Sequence, residues 1–152
     1  MMHVFRRAWS DVVSPIWHGS KLKQVAALCY RETDAGKGVL LITSRDTGRW
    51  IIPKGWPMKG KTAAEAAVQE AWEEAGVRDA EVEAAPIGAF EYVKRRRKNG
   101  DVMVRADVYP VRVTALQPAY PEVSERARAW FSQAEAAALV DEAELKTLIT
   151  AL

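Results

Sequence analysis

The chain has 152 residues, of which 49% are hydrophobic and 28% charged, a balance typical of one globular domain rather than of a disordered, collagen-like or coiled-coil chain. Its net charge of +2 is too small to indicate nucleic acid as a partner. The single cysteine, Cys29, excludes an intramolecular disulfide, and two histidines, His3 and His18, are too few for most zinc sites or histidine-based triads.

Residues 1–20 are predicted to form a leader ahead of a single domain of residues 21–152. The leader holds no apolar stretch long enough for a secretory signal, and no run in the chain approaches the ~18 apolar residues that span a bilayer. We therefore expect a soluble, cytoplasmic protein without a membrane partner. Trp9 and Trp17 indicate that the leader packs against something, and it could mediate a homodimer.

Apolar runs separated by turn-forming residues predict five strands, over residues 24–30, 39–43, 50–52, 87–94 and 102–113. The Asn99-Gly100 pair is a strong hairpin signal between the last two strands. Helices are predicted over residues 62–76, from Ser132 onwards and over residues 142–150. This order of strands and helices predicts an α/β fold, a mixed sheet with helices on its faces.

The helix over residues 62–76 has the clearest signals. Thr62 and Glu65 have the spacing of a capping box, and Gly76 stands where a helix-ending glycine is expected. A stripe of apolar positions at about 100° per residue predicts the core face of this helix. It consists of Ala64, Val68, Ala71 and Ala75.

The same helix carries three glutamates at positions i, i+3 and i+4, namely Glu70, Glu73 and Glu74. These positions project within an arc of about 100°, roughly opposite the core stripe. Three carboxylates this close repel one another unless a cation lies among them, and oxygen ligands favour Mg²⁺ or Mn²⁺ over zinc. Spacing alone is more typical of a solvated acidic helix face, so the surrounding sequence must decide.

The stretch GWPMKGKTAAEAAVQEAWEEAGV, from Gly55 to Val77, resembles the Nudix box. That pattern is Gly, five residues, Glu, seven residues, then Arg-Glu-apolar-x-Glu-Glu-x-Gly-apolar. The positions that match are Gly55, Glu70, Ala71, Glu73, Glu74, Gly76 and Val77. The resemblance implies the Nudix-like α/β/α sandwich with a mixed sheet over about residues 21–150.

The resemblance also implies an enzyme, a pyrophosphohydrolase that uses Mg²⁺, with Mn²⁺ as a second choice. It assigns the metal to Glu70, Glu73 and Glu74, with the backbone carbonyl of Gly55 completing the shell. The three glutamates are the catalytic candidates, and which of them accepts a proton stays open. An acid outside the box could do so, with Glu122 and Glu125 as candidates.

Two positions of the box depart from the family pattern. Lys61 stands where the family has Glu, and Gln69 stands where it has Arg. Losing both members of a supporting ion pair leaves no unpaired buried charge, so metal binding is expected to survive. The departures keep open a non-catalytic module that binds a phosphorylated ligand without turnover.

A second motif overlaps the first, since Gly55 to Thr62 also satisfies the P-loop pattern G-x-x-x-x-G-K-[ST]. In that interpretation Lys61 would hold phosphate. Pro57, however, removes an N–H from a loop that works by donating them. The P-loop interpretation also leaves the three glutamates unexplained, so we rank it below the Nudix box.

Five basic residues, 94–98, precede the Asn-Gly turn. A strand alternates its side chains, so Lys94, Arg96 and Lys98 would share one face and could hold two or three phosphates. Arg45 and Lys54 are further candidates for substrate binding. A solvated hairpin tip is the plainer interpretation, and the absence of interleaved aromatic residues disfavours nucleic acid.

With the box, this basic hairpin favours a polyphosphorylated small-molecule substrate. The chain looks most like the Nudix branch that includes diadenosine polyphosphate and diphosphoinositol polyphosphate phosphohydrolases. Nucleotide sugars, ADP-ribose and oxidised dNTPs stay open as alternatives. Trp50 or Trp56 could stack on a nucleobase, although an aromatic residue near a strand end more often belongs to the core.

Overall fold

The structure is a computed structural model that describes residues 21–96 and 98–152. The leader of residues 1–20 and Arg97 lie outside the described residues, so the packing of the leader stays a prediction. None of the helices in the described part of the chain is long and apolar enough to cross a membrane.

Eight strands in the described residues form one mixed sheet. They are β1 (Leu22–Thr33), β2 (Gly36–Thr43), β3 (Trp50–Ile51), β4 (Lys54–Gly55), β5 (Val77–Val82), β6 (Gly88–Lys94), β7 (Val102–Leu116) and β8 (Arg128–Ser132). The main path runs β3-β2-β1-β7-β5, while β4 pairs with β1, β6 with β7 and β8 with β2. Only β1 and β7 pair in parallel within this set.

Three helices of the described chain cover the sheet. They are α1 (Ala63–Ala75), α2 (Gln133–Leu139) and α3 (Ala143–Ala151). Side chains of β1 alternate between two hydrophobic layers, because successive residues of a strand point to opposite faces. Val25 and Ala27 pack on the α1 side, whereas Ala26 and Leu28 pack on the side of α2 and α3. The predicted α/β/α sandwich is thus confirmed.

Cys29 belongs to the layer under α1 and is fully buried. Burial raises the pKa of its thiol to about 12. The thiol therefore stays protonated and serves as a small apolar side chain in the core, the role expected of a buried free cysteine.

Strand β5 is one of three strands, with β4 and β8, that the sequence analysis left unassigned. Three of its six residues are charged, namely Arg78, Asp79 and Glu81, so the segment lacks the apolar run of a buried strand. It forms because the second half of β7 offers a pairing edge, and irregular register near Val77 and Asp79 accommodates it. The first half of β7 pairs with β6, which explains the length of β7.

The capping box predicted for α1 is present, and a second one begins α2. In α1 the Glu65 amide donates to Thr62 Oγ1 at 3.1 Å, and the Thr62 amide donates to Glu65 Oε1 at 2.8 Å. Ser132 and Glu135 repeat this arrangement at the start of α2. The Thr62 hydroxyl is therefore already engaged as the N-cap of α1. This is a further argument against the P-loop interpretation.

Helix α1 ends at Gly76, whose φ of +72° lies in the left-handed region. A Cβ atom at this position would also lie 2.5 Å from Tyr120 Cδ1 and 2.9 Å from the carbonyl oxygen of Gln117. The segment that follows β7 thus packs directly against the end of α1. The Gln117 amide also donates to the Gly76 carbonyl at 2.8 Å.

Gly76→Ala is expected to destabilise the protein more than Gly60→Ala does. Both glycines have positive φ, +72° and +80°, but nothing lies within 4 Å of a Cβ at Gly60. Gly60→Ala thus carries only the left-handed penalty of about 1–2 kcal/mol, whereas Gly76→Ala adds about 1–3 kcal/mol of overpacking. Urea unfolding of both variants measures the difference, and equal losses would contradict the close packing at Gly76.

Strand β6 pairs with β7 alone among the described strands. On its other edge, the backbone amide of Glu91 donates to Glu144 Oε1 of α3 at 3.2 Å. Gly88, at the start of β6, lets α3 approach closely, because a Cβ there would lie 2.7 Å from Leu148 Cδ2. Helix α3 therefore lies against this strand through both packing and a hydrogen bond.

Candidate active site

The site is built where the short strand β4 runs into the loop before α1. Gly55 of β4 pairs with Val25 of β1, which holds the strand at the sheet. A Cβ at Gly55 would lie 2.3 Å from both Cδ and Oε2 of Glu70. Only a glycine leaves room for this carboxylate, so the first glycine of the box and the first glutamate of the triplet are in direct contact.

Glu70 and Glu74 lie on the buried side of α1, with 9% and 6% of their surfaces exposed. The prediction that the acidic arc lies opposite the core stripe is therefore wrong for these two residues. The buried face of α1 is wider than the predicted stripe because Ala66 and Ala67 are buried as well. Small side chains let the helix approach the sheet, so its flank is covered too.

Glu73 is half-buried, and its carboxylate is engaged within the helix. Gln69 Nε2 donates to Glu73 Oε2 at 2.7 Å, four residues apart on the same face. Gln69, which replaces the family's Arg, therefore donates from an uncharged amide to the carboxylate of the second glutamate. Lys61, the other departure from the box, is exposed.

Burial is the main cause of the raised pKa values of Glu70 and Glu74. It raises the pKa of Glu70 to about 9, and the carboxylates of Glu74, Glu73 and Glu122 raise it further. Burial also raises the pKa of Glu74, against the opposing influence of Arg126 and Lys54. Carboxylates that are buried and close to one another are typical of functional sites, where a cation can share their charge.

Two groups hold Glu74 from outside its own helix. The backbone amide of Lys54 donates to Glu74 Oε1 at 3.3 Å. Arg126 Nη2 lies 3.9 Å from the same oxygen, and its side chain is 8% exposed. The carboxylate is thus oriented by β4 on one side and by the segment before β8 on the other.

Arg126 is the residue beside these acids that the sequence analysis missed. Its Nε donates to Glu122 Oε1 at 2.8 Å, so the acid predicted from outside the box lies beside Glu74. The signal that could have found it is the i,i+4 spacing of Glu122 and Arg126. Glu125, the other predicted acid, instead pairs with Arg45 at the surface, with 3.0 Å between Arg45 Nη1 and Glu125 Oε1.

The donor set suits a hard divalent cation. Glu70 and Glu74 are buried carboxylates, Glu70 against the Gly55 backbone and Glu74 against the Lys54 amide, and oxygen donors of this kind bind Mg²⁺ or Mn²⁺. In the described residues, no three His, Cys, Asp or Glu side chains already converge on one point. The carboxylate of Glu73 is hydrogen-bonded by Gln69.

Lys54 and Lys94 lie near the carboxylates. Lys54 Nζ is 4.9 Å from the centre of the Tyr92 ring, and burial lowers the pKa of this amine to about 8. Burial also lowers the pKa of Lys94, against the opposing influence of the Asp46 carboxylate. Tyr92 in turn hydrogen-bonds the buried Gln24. Both lysines therefore lie close enough to Glu74 for its charge to act on their amines.

The tip of the basic hairpin differs from the prediction. Strand β6 ends at Lys94, so side-chain alternation does not extend to Arg96 and Lys98, and the shared face predicted for these three is wrong. Arg96 instead folds across the turn, with Nε donating to the carbonyl of Gly100 at 3.1 Å. Lys98 is exposed in the turn, and Arg95 lies 3.8 Å from Asp101.

The tryptophans near the site have structural neighbours. Trp50 packs edge-on against Phe131 with 4.9 Å between ring centres. Trp56 packs against the cluster at the start of β1 and β7. Trp72 is half-buried, with the Arg78 guanidinium 5.9 Å from its ring centre. Trp50 therefore belongs to the core, as the plainer interpretation has it.

Comparison with known proteins identifies the class to which this sandwich and its helix-borne acids belong. A family model described as NUDIX domain matches residues 22–152. The chain belongs to the Nudix family.

The relatives extend this result. Human diphosphoinositol polyphosphate phosphohydrolase 3-alpha is 33% identical over 116 residues, which are 75% of this chain and 66% of that protein, slightly less than two thirds. The Ap4A hydrolase of C. elegans has a TM-score of 0.60 at 19% identity, over 86% of this chain and 94% of that one. The E. coli dihydroneopterin triphosphate pyrophosphohydrolase has a TM-score of 0.64 at 20% identity, over 84% and 91%. These two structures share the fold.

Proposed function

We propose that this protein is a Nudix pyrophosphohydrolase that cleaves a pyrophosphate bond in a polyphosphorylated small molecule. Diphosphoinositol polyphosphates and diadenosine polyphosphates are the preferred substrates. The observation that carries the proposal is the contact between Gly55 and Glu70, with Glu74 buried one turn further along α1. Nothing in packing alone favours two buried carboxylates side by side, because burying charge without a partner is costly.

Glu70 and Glu74 would hold the divalent ion, with the carbonyl of Gly55 and the carboxylate of Glu73 as further ligands. When bound, Mg²⁺ or Mn²⁺ would neutralise the pyrophosphate oxygens and lower the pKa of a water. The preference for Mg²⁺ over Mn²⁺ is part of the proposal.

The reaction would add one water across a P–O–P bridge. The water oxygen bonds to one phosphorus, the bridging oxygen leaves with the other phosphate, and the water proton passes to a carboxylate. Glu73 is one candidate acceptor, since it is half-buried and lies beside the two buried acids. Glu122 is another, and its negative charge acts on both Glu70 and Glu74.

The basic side chains would bind the remaining phosphates. Lys54 and Lys94 are half-buried and lie close enough to act on each other's charge. Arg45 lies further out in a pair with Glu125. Arg96 and Lys98 would contact only a substrate long enough to reach the hairpin tip, which favours molecules with several phosphates. The name of the human relative points to the same substrate class.

A second candidate function is a ligand-binding module without turnover. The hydrogen bond from Gln69 to Glu73 favours it, because that bond engages one of the three acids of the box. Nudix enzymes acting on nucleotide sugars, ADP-ribose or oxidised dNTPs form a third possibility within the enzyme class.

A substrate panel tests all three. Product release would be measured with Mg²⁺ and with Mn²⁺ on diadenosine polyphosphates, diphosphoinositol polyphosphates, ADP-ribose, nucleotide sugars and oxidised dGTP. Turnover of the first two classes supports the proposal. Turnover of only the other substrates would still support an enzyme but would contradict phosphate binding by Lys94, Arg96 and Lys98. Tight binding without turnover would support the ligand-binding module.

Binding of the metal is expected to release a proton from Glu70. Its pKa of about 9 keeps the metal-free carboxyl protonated at neutral pH, whereas a metal ligand must be ionised. Affinity should therefore rise as pH rises towards 9, by up to about tenfold per pH unit. Calorimetric titration with Mn²⁺ in two buffers of different ionisation enthalpy counts the protons.

Glu70→Gln provides the control, since the amide has no proton to release and should bind the metal weakly. A wild-type affinity for Mn²⁺ that stays constant from about pH 6.5 to 8.5 would contradict the raised pKa of Glu70.

A further inference from the structure

Arg126 connects three separate parts of the molecule. Nε donates to Glu122 Oε1 at 2.8 Å, Nη1 donates to the carbonyl of Thr43 at the end of β2 at 3.1 Å, and Nη2 lies 3.9 Å from Glu74 Oε1. A guanidinium stays charged at physiological pH and presents its donors in a rigid planar fork. These contacts therefore fix where two carboxylates lie relative to the end of β2.

The segment that carries Arg126 is itself anchored. The Glu122 amide donates to the carbonyl of Glu73 at 3.0 Å, on the last turn of α1. At its other end, Ala127 and Thr43 exchange hydrogen bonds, with the Thr43 amide donating to Ala127 O at 3.0 Å and the Ala127 amide donating to Thr43 Oγ1 at 2.9 Å. Because both ends are held, the backbone that carries Arg126 is fixed relative to α1 and to the end of β2.

The charges explain what the arrangement achieves. Glu74 and Glu122 are like charges whose mutual repulsion would drive them apart, and a buried cation between them offsets this repulsion. Arg126 is 8% exposed and Glu122 is 19% exposed, so solvent screens the three charges only weakly. Side chains that orient ligands through hydrogen bonds typically change metal affinity or activity about 10–100-fold when removed.

We propose that Arg126 is a positioning residue that holds Glu74 against Glu122 in the candidate site, bringing a fourth carboxylate to the three of the box. This inference rests on the proposed function and deepens it. Arg126 acts through Glu74 and Glu122 and makes no contact with substrate. Its three nitrogens face protein oxygens, which leaves little of the guanidinium to meet a phosphate.

Steady-state kinetics of Arg126→Gln and Arg126→Lys separate positioning from substrate binding. Both variants are expected to lower kcat about 10–100-fold and to change KM less than about threefold. Glutamine removes both the charge and the guanidinium fork, whereas lysine keeps the charge but lacks the fork. A higher KM at unchanged kcat would show a direct substrate contact and overturn the inference, as would unchanged kinetics.

Arg128→Gln is the matched control. Arg128 lies two residues further along the chain and donates to the carbonyl of Ala75 at 2.7 Å, so it holds the same end of α1 without contacting an acid of the site. Its loss should lower stability and leave kcat unchanged. A kcat loss equal to that of Arg126→Gln would reduce Arg126 to a structural role and overturn the inference.

A double-mutant cycle of Arg126→Gln and Glu122→Gln in urea unfolding gives a readout that needs no substrate. Non-additive losses in the free energy of unfolding are expected, since the two largely buried side chains share a hydrogen bond. Additive losses would overturn the inference. If the wild type hydrolyses nothing in the panel, the proposed function fails, while this cycle still decides whether Arg126 holds Glu122.

Discussion

Glu74→Gln is expected to lower kcat about 10²–10³-fold while the fold stays intact, the loss typical of one essential electrostatic group. Glutamine has nearly the same shape, and its carbonyl can still accept the hydrogen bond from the Lys54 amide. What it removes is the negative charge next to Glu70, which a divalent ion and the pyrophosphate chemistry would require. The packing of α1 should therefore survive although the chemistry does not.

The measurement is kcat with Mg²⁺ beside circular dichroism and urea unfolding. Glu65→Gln is the matched control, because Glu65 lies on the same helix, is exposed, and serves only the capping box, where glutamine is also accepted. Full activity of Glu74→Gln on a substrate that the wild type hydrolyses would contradict the assignment of Glu74 to the catalytic site.

Gly55→Ala is expected to abolish most of the activity for a steric reason. The new Cβ would lie 2.3 Å from the Glu70 carboxyl, so either that side chain turns away or β4 separates from β1. A displacement of about 1 Å in a reacting constellation can cost about 10²-fold in rate, and overpacking of this kind costs about 1–3 kcal/mol of stability.

Gly38→Ala provides the comparison for Gly55→Ala. Gly38 is also a buried strand glycine, on β2, but a Cβ there would make ordinary contacts of 3.5–3.6 Å with Arg31 and Trp130. Its kcat should match the wild type. If Gly55→Ala retains wild-type kcat and metal affinity, then the contact between Gly55 and Glu70 has no functional weight.

Local signals made the first helix predictable. The capping box of Thr62 and Glu65, the terminal Gly76 and the three acids are all readable within one stretch of sequence, and the structure has both caps as predicted. The fold class followed from the same stretch, because the resemblance to the Nudix box implies a sandwich that the comparisons confirm.

Non-local contacts account for what was missed. The depth of Glu70 and Glu74 depends on β4 and on the segment before β8, which cover the flank of α1, and a helical wheel of α1 contains neither. Arg126 reaches Thr43 across 83 positions of sequence. Strand β5 owes its existence to an edge supplied by β7.

The basic hairpin shows the limit of a periodicity argument. Alternation holds only while the chain stays in a strand, and β6 ends at Lys94. Beyond it, Arg96 turns back to the carbonyls of Asn99 and Gly100. The roles of Lys54, Lys94, Arg45, Arg96 and Lys98 toward a substrate stay predictions, as does the role of the leader.

The hydrogen bond from the Glu91 amide to Glu144 bears on how this protein behaves at high concentration. A strand with an open edge can recruit a strand of another molecule, and such recruitment begins aggregation. On β6 that edge amide is already bound by a carboxylate, and Glu144 also places a negative charge where an incoming backbone would have to lie. The helix therefore protects the sheet against fibre-like stacking at the strand that leads into the basic hairpin.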